Sequence, residues 1–252
     1  MIKLSFIGRE VPFELIKFPA GETHIRVSKP FDQISVFFES NDDIINTLLL
    51  LDKNPDAKIY MPYFPYGRQD REIIKSDVFS LRAIANMFED VNITIIDPHS
   101  KETNCLLRYS TVTVIDQHEV FDYSLYKDIP NLVLLAPDEG SITKTKRLAE
   151  ILNIKYYSAT KIRDKETGKF IKFNVPEIEE ENILIVDDIC DGGGTFLGIA
   201  NKLPNKNLHL WTTHGIYSKG INILLEKFET VACYNHVSTG EFKFYTKGVI
   251  YV

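Results

Sequence analysis

The chain has 252 residues, of which 44% are hydrophobic and 25% charged, an ordinary composition for a soluble globular protein. That length accommodates one large or two modest domains with sizeable cores. The net charge of −6 argues against a general nucleic-acid-binding surface, and no apolar run approaches the roughly 20 residues a membrane helix needs. Neither nucleic acid nor membrane is therefore expected as a partner. The first ten residues, Met1 to Glu10, lack the apolar core of a signal peptide. Cys105, Cys190 and Cys233 lie far apart and give no metal-site spacing, which suits a reducing compartment. A cytoplasmic location is expected on these grounds.

Strand-like and helix-like stretches alternate along the chain. Ile34–Phe38, Lys58–Met61, Asn92–Ile96 and Thr111–Ile115 read as strands, with helices over Asp43–Leu51 and Val78–Phe88 between them. After Pro130 the alternation restarts: a strand at Leu132–Ala136, a helix at Ser141–Leu152, and a strand at Lys155–Ser158. Further strands follow at Ile183–Val186 and Leu208–Thr213, and Phe242–Tyr245 with Gly248–Val252 suggests a terminal hairpin that could pack on the first lobe. This is βαβ grammar, so the fold class expected is α/β with mostly parallel sheets. The restart divides the chain into lobes 1–128 and 129–252.

Polar residues collect where strands end, which is where parallel sheets bind ligands. Phe18-Pro-Ala-Gly-Glu22 is a turn leading into a strand. Tyr63-Phe-Pro-Tyr-Gly-Arg68-Gln69-Asp70-Arg71 carries arginines that either fork onto phosphate oxygens or form a surface salt-bridge loop. His99, after the Asn92–Ile96 strand, suits a metal, a phosphate or a structural role. Asp138 and Ser141 precede a helix and suit its cap. Lys161-Ile-Arg163-Asp-Lys-Glu-Thr-Gly-Lys lacks periodicity and reads as a mobile loop.

The most informative stretch is Ile183-Leu-Ile-Val-Asp187-Asp188-Ile-Cys-Asp191-Gly192-Gly193-Gly194-Thr195. A branched apolar run suits a strand buried on both faces, and two carboxylates close it. Glycines let backbone N–H groups approach a phosphate, and a helix-like segment follows. The carboxylates repel phosphate but suit a sugar's hydroxyls or a magnesium ion. The stretch reads as a pocket for a phosphorylated sugar.

Asp187 to Thr195 resembles the ribose-5-phosphate signature of phosphoribosyltransferases and of phosphoribosyl diphosphate (PRPP) synthetases. There, two acids and two variable residues precede Asp-Thr-Gly-Gly-Thr. The string Tyr-Phe-Pro-Tyr-Gly-Arg-Gln-Asp-Arg ending at Arg71 is similar to one that PRPP synthetases carry and phosphoribosyltransferases do not. Asp97-Pro-His99, Pro137-Asp138, Lys161-Ile-Arg163 and Thr213-His214-Gly215 follow in the same family order. The resemblance to PRPP synthetases, the ribose-phosphate pyrophosphokinases, implies two phosphoribosyltransferase-like lobes. It also implies transfer of the β,γ-diphosphoryl group of ATP to the anomeric hydroxyl of a 5-phosphorylated ribose, with release of AMP. Phe18, Glu22, Arg68, Gln69 and Asp70 would then bind ATP, and His99 and Asp138 would hold Mg2+. Asp187 and Asp188 would take the ribose hydroxyls, Asp191, Gly192, Gly193, Gly194 and Thr195 would cradle the phosphate, and Lys161, Arg163 and His99 would serve catalysis. A homo-oligomer is expected by the same resemblance, although the chain is shorter than usual members.

Gly192 stands where the signature has its first threonine. A hydroxyl bonding a charged phosphate contributes about 1.5–3 kcal/mol, so its loss weakens a phosphate monoester about ten- to a hundredfold. Either water substitutes and the acceptor is ribose-5-phosphate, or the phosphate is itself esterified, as in ADP-ribose. Two other readings differ in class: a phosphoribosyltransferase needing no ATP, and a catalytically silent relative, for which Ala20 and Ile162 leave room.

Overall fold

The computed structural model describes residues 1–163 and 170–248, with the backbone alone at Arg163, Phe170 and Ile171. The chain folds as two compact units, Met1–Asp116 with Val237–Gly240, and Gln117–His236 with the chain from Glu241 onward. The division falls after Asp116, ahead of the 128/129 division read from the sequence.

The first unit begins with β1 (Ile2–Phe6), β2 (Arg9–Val11), β3 (Phe13–Lys17), β4 (Thr23–Val27) and β5 (Gln33–Val36). Then come α1 (Asn41–Lys53), β6 (Lys58–Tyr60), α2 (Ser80–Ala85), β7 (Asn92–Ile96), α3 (Glu102–Leu106) and β8 (Thr111–Ile115). The six-stranded sheet runs β2-β1-β5-β6-β7-β8. β5 to β8 pair in parallel, and β1 joins antiparallel. β3 and β4 form a separate hairpin. Ile34, Ile59, Ile93 and Ile95 of the sheet pack with Leu50, Leu81 and Phe88 in one core. Each such buried side chain contributes about 1.5–3 kcal/mol relative to exposure. The helix expected over Val78–Phe88 is shorter, Ser80–Ala85. Asn86 N–H still bonds Arg82 O, after which Met87 and Phe88 continue as turns.

The second unit contains α4 (Gln117–Val120), a 3-10 turn at Tyr123–Leu125, β9 (Val133–Ala136), a 3-10 turn at Glu139–Ser141, α5 (Ile142–Leu152) and β10 (Tyr156–Ser158). It continues with β11 (Thr160–Arg163), β12 (Phe170–Asn174), β13 (Asn182–Cys190), α6 (Gly194–Ala200), β14 (Asn207–Gly215), α7 (Asn222–Leu225), β15 (Thr230–His236) and β16 (Lys243–Thr246). Its sheet runs β10-β9-β13-β14-β15-β16, parallel except for β16. Alternate residues of the central strands enter different cores. Val133, Leu135, Ile183 and Ile185 pack with Phe196 and Ile199 of α6, whereas Leu134, Leu184 and Val186 pack with Leu148 and Trp211. Burial of both faces explains the uninterrupted apolar run in β13.

Two expectations are corrected. The segment read as a mobile loop begins as a strand: Thr160–Arg163 pairs antiparallel with Phe170–Asn174, and residues 164–169 lie outside the described residues. β13 does not close at its acids but runs on through Cys190, because Asp187, Ile189 and Cys190 keep their register with Thr212, His214 and Gly215 of β14. Lys243–Thr246 pairs with β15 of the second unit, while residues 249–252 lie outside the described residues. Among the described residues no helix is long and apolar enough to cross a membrane.

Candidate active site

In the second unit the parallel strands end together, and their carboxyl ends carry most of the residues singled out above. Asp138 follows β9 and caps the 3-10 turn, its Oδ1 accepting N–H bonds from Gly140 at 3.1 Å and Ser141 at 3.3 Å. Its Oδ2 accepts from Lys161 Nζ at 2.6 Å. The cap reading of Asp138 is therefore correct, and the second oxygen ties β11 to the end of β9. Lys161 is held in a strand rather than carried on a free loop. Arg163 ends the same strand, and its side chain lies outside the described residues.

Asp187 and Asp188 lie in β13, three and two positions before its end at Cys190. Asp187 Oδ1 accepts the Asp188 N–H at 3.0 Å. Burial first, then the charges of Asp188 and Asp138, holds the Asp187 carboxyl well above the usual carboxylate range. Three carboxylates thus act on one another at this edge of the sheet, with Lys161 as the cation bonded to one of them. Gln117, which the sequence does not flag, supports the edge: its Nε2 donates to Asp187 O at 3.0 Å and reaches Thr213 Oγ1 at 3.5 Å. Thr212, Thr213 and His214 are buried beside it, and His214 Nδ1 lies 3.1 Å from Asn235 Nδ2. Cys190 is buried, and burial pushes its thiol far up, so it is not a nucleophile.

Asp191 to Thr195 carries the chain from β13 into α6. The three glycines do different things. Gly193 has φ +72°, and a Cβ there would lie 2.7 Å from Leu224 Cδ2, so only glycine fits without a shift. At Gly194 a Cβ would meet nothing within 4 Å, which leaves its backbone open to an approaching ligand. Gly192 faces the side chain of Lys219. Asp191 Oδ1 accepts from Ser218 Oγ at 2.6 Å.

In the first unit Arg68 and Gln69 line a cleft of about 750 Å³ with Phe38, Ser40, Asn41 and Tyr63. The start of α1 forms one wall. It is anchored by Asp43, which accepts the N–H groups of Glu39 and Ser40 at 2.8 and 3.2 Å. Tyr66, at φ +62°, donates through its hydroxyl to Asn41 Oδ1 at 2.8 Å and so joins the other wall to it. Asp70 does not line the cleft. It is buried, and Arg71 bonds both its oxygens at 2.8 Å. The Arg71 bond, then bonding from Ser100 and the nearby charges of Arg71 and His99, outweighs burial and holds the Asp70 carboxyl below its ordinary value. His99 is exposed beside Gly67, whose Cβ position would be 3.6 Å from His99 Cβ. Asp97, two residues before it, is buried at φ +41°, a conformation that costs a non-glycine residue about 1–3 kcal/mol. Phe18 and Glu22 lie at the β3–β4 turn, where Phe18 N–H bonds Glu22 O at 2.8 Å. Both are exposed there, and neither lines the cleft with Arg68.

A model of the phosphoribosyl transferase domain matches residues 118–231. The ribose-phosphate pyrophosphokinase of Pyrococcus abyssi is 30% identical over 86% of this chain and 81% of its own length. That of Thermococcus kodakarensis is 31% identical over 82% of this chain and 79% of its own. A crystal structure of phosphoribosylpyrophosphate synthetase from Mycobacterium smegmatis shares the fold, with a TM-score of 0.74 at 18% identity, covering 88% of this chain and 80% of that one. The order of elements, the acidic end of β13 and these relatives agree: the chain belongs to the ribose-phosphate pyrophosphokinase family and is a diphosphotransferase.

Proposed function

We propose that this chain, with Mg2+, transfers the β,γ-diphosphoryl group of ATP to the anomeric hydroxyl of a ribose phosphorylated at its 5-position. The anomeric oxygen forms a bond to the β-phosphorus and releases its proton to water. The bond from that phosphorus to the α,β-bridging oxygen breaks, and AMP leaves with the oxygen. Little covalent work falls to the protein, whose share is positioning and charge neutralisation.

The observation that carries this reading is the cluster of Lys161, Asp138 and Asp187 at the carboxyl ends of β9 and β13, next to a glycine loop. Asp187 and Asp188 receive the ribose hydroxyls. The backbone of Asp191, Gly192, Gly193 and Gly194, with Thr195, receives the 5-phosphate. Lys161 and Arg163 neutralise charge that develops on the transferring group. Arg68 and Gln69 take ATP in their cleft, with Phe18 and Glu22 as further ATP contacts. Asp70 serves the ATP loop as a support, since both its oxygens are occupied by Arg71.

Asp187, raised by burial and by the charges of Asp188 and Asp138, belongs to a carboxylate cluster that suits a hard divalent cation, and Asp138 is the residue of the cluster assigned to Mg2+; His99 is assigned to Mg2+ by the family resemblance alone. A magnesium ion held there would supply positive charge against the phosphates. A second acceptor, ADP-ribose, is favoured by one feature. The phosphorus of a monoester offers three terminal oxygens and the ribose-bound phosphorus of a diphosphate two, and glycine at 192 lacks the hydroxyl donor of the family signature.

AMP release from ATP and magnesium is the test, with ribose-5-phosphate and ADP-ribose in parallel. AMP that depends on either acceptor supports the proposal and names the substrate. The reading fails if neither yields AMP. Nucleotide formation from PRPP and a free base, without ATP, would instead make the protein a phosphoribosyltransferase.

A further inference from the structure

We infer that Lys219 binds the acceptor's phosphate and stands in for the side chain missing at position 192. The inference rests on the reading of residues 191–195 as a phosphate cradle, and it adds a residue that the family signature does not contain. A Cβ placed on Gly192 would lie 3.3 Å from Cδ and Cε of Lys219 and 3.4 Å from its Cγ. The lysine stem therefore crowds the space that a threonine side chain at 192 would enter, and would have to give by a few tenths of an ångström to admit its Cβ.

This contact is built into the backbone. Ile216 and Tyr217 donate their N–H groups to Cys190 O at 2.8 and 3.2 Å, and Ser218 Oγ donates to Asp191 Oδ1 at 2.6 Å. The segment before Lys219 is thereby bonded to the segment before Gly192 at three points. Gly220, at φ +79°, then turns the chain, and its N–H bonds Tyr217 O at 2.8 Å. Asp191 accepts from the serine hydroxyl, and among the described residues Lys219 makes no ion pair or hydrogen bond. Lys155, Lys161, Lys243 and Lys247 of the same unit all pair with carboxylates. An exposed ammonium whose stem lies on a glycine of the cradle has phosphate oxygens as its natural partner. It adds charge to a loop whose backbone donors are neutral. The ligand class is a ribose bearing phosphate at carbon 5, as a monoester or as a diphosphate ester.

The test is calorimetric binding of ribose-5-phosphate and of ADP-ribose to the wild type, Lys219→Ala and Lys219→Arg, with AMP release followed on the same samples. For whichever ligand the wild type binds, Lys219→Ala should weaken affinity about tenfold, the value of one partly solvated charge-assisted bond. Lys219→Arg should keep most of it, and the wild-type affinity should fall faster with salt than that of Lys219→Ala. Because the lysine and a threonine compete for one space, Gly192→Thr should restore binding of the monoester when made together with Lys219→Ala. Equal affinity of wild type and Lys219→Ala overturns the inference, even if AMP is released and the functional reading stands. Binding that depends on Lys219 without AMP release upholds it while overturning the proposed transfer. A wild type that binds neither ligand overturns both.

Discussion

Gly193 and Gly194 are neighbours in one loop, yet the structure predicts opposite results for the same substitution. Gly193→Ala would force a non-glycine residue to φ +72° and drive its methyl to 2.7 Å from Leu224 Cδ2. Leu224 is 1% exposed and packed in the core of the second unit, so it cannot swing aside freely. The left-handed backbone costs about 1–2 kcal/mol and the overpacking about 1–3 kcal/mol, so the expected loss is about 2–5 kcal/mol. For a chain of this size each kcal/mol lowers Tm by about 2–4 °C, so Gly193→Ala should melt about 4–20 °C below the wild type. Gly194→Ala meets nothing within 4 Å and sits at the first position of α6. Its Tm should hold or rise, since alanine exceeds glycine in a helix by up to about 1 kcal/mol. If the loop receives the phosphate as proposed, the new methyl would crowd it, so acceptor KM should rise while stability does not fall. Thermal unfolding followed by circular dichroism, together with acceptor KM, reads both effects. Equal melting of the two variants would refute the assignment of one glycine to packing and the other to ligand approach.

Lys161→Ala should lower kcat about a hundredfold or more if its ammonium serves the transferring group, with a stability change within about 1 kcal/mol for a partly exposed pair. A change confined to Tm would reduce the Lys161–Asp138 bond to a structural one. Asp187→Asn should cost activity but gain about 0.5–2 kcal/mol of stability at neutral pH. The sign follows from the raised carboxyl: ionised Asp187 is unfavourable in the folded state, so the gain should vanish on acidification below about 3.9, where the unfolded group is also protonated. Denaturant melts of both proteins at neutral and acidic pH would show it, and a gain that persists in acid would contradict it. Asp70 titrates in the opposite sense. Its depressed carboxyl contributes stability above the unfolded value of about 3.9, lost as pH falls through the folded value, so Arg71→Ala should move the acid-unfolding midpoint to higher pH. An unchanged midpoint would mean that the Arg71 bonds do not hold the carboxylate.

Strands with branched apolar runs were the most legible. The edges of β7 and β8 agree with the sequence reading residue for residue, because branched apolar runs bounded by polar residues leave little choice of register. β13 and β9 were visible for the same reason, and the acids and glycines near their carboxyl ends carried the reading of a sugar-phosphate pocket. Local pattern failed where distant partners decide the conformation. Residues 160–163 are polar and aperiodic, yet they form a strand because residues 170–174 supply the partner. The carboxylates of β13 remain in the ladder because β14 continues beside them.

The amino-acid sequence by itself determined the α/β class, the acidic and glycine-rich end of β13 and the family, since these depend on residue type and short spacing. Only the tertiary structure decided that Lys161 meets Asp138, that Asp70 is spent on Arg71, that Gln117 braces Asp187, and that Lys219 lies on Gly192. Three of these contacts join residues 23 or more positions apart, so the pairing is set by how the sheet stacks its strand ends, which no local pattern encodes. The fourth joins neighbours, Asp70 and Arg71, and depends on which of them the loop buries.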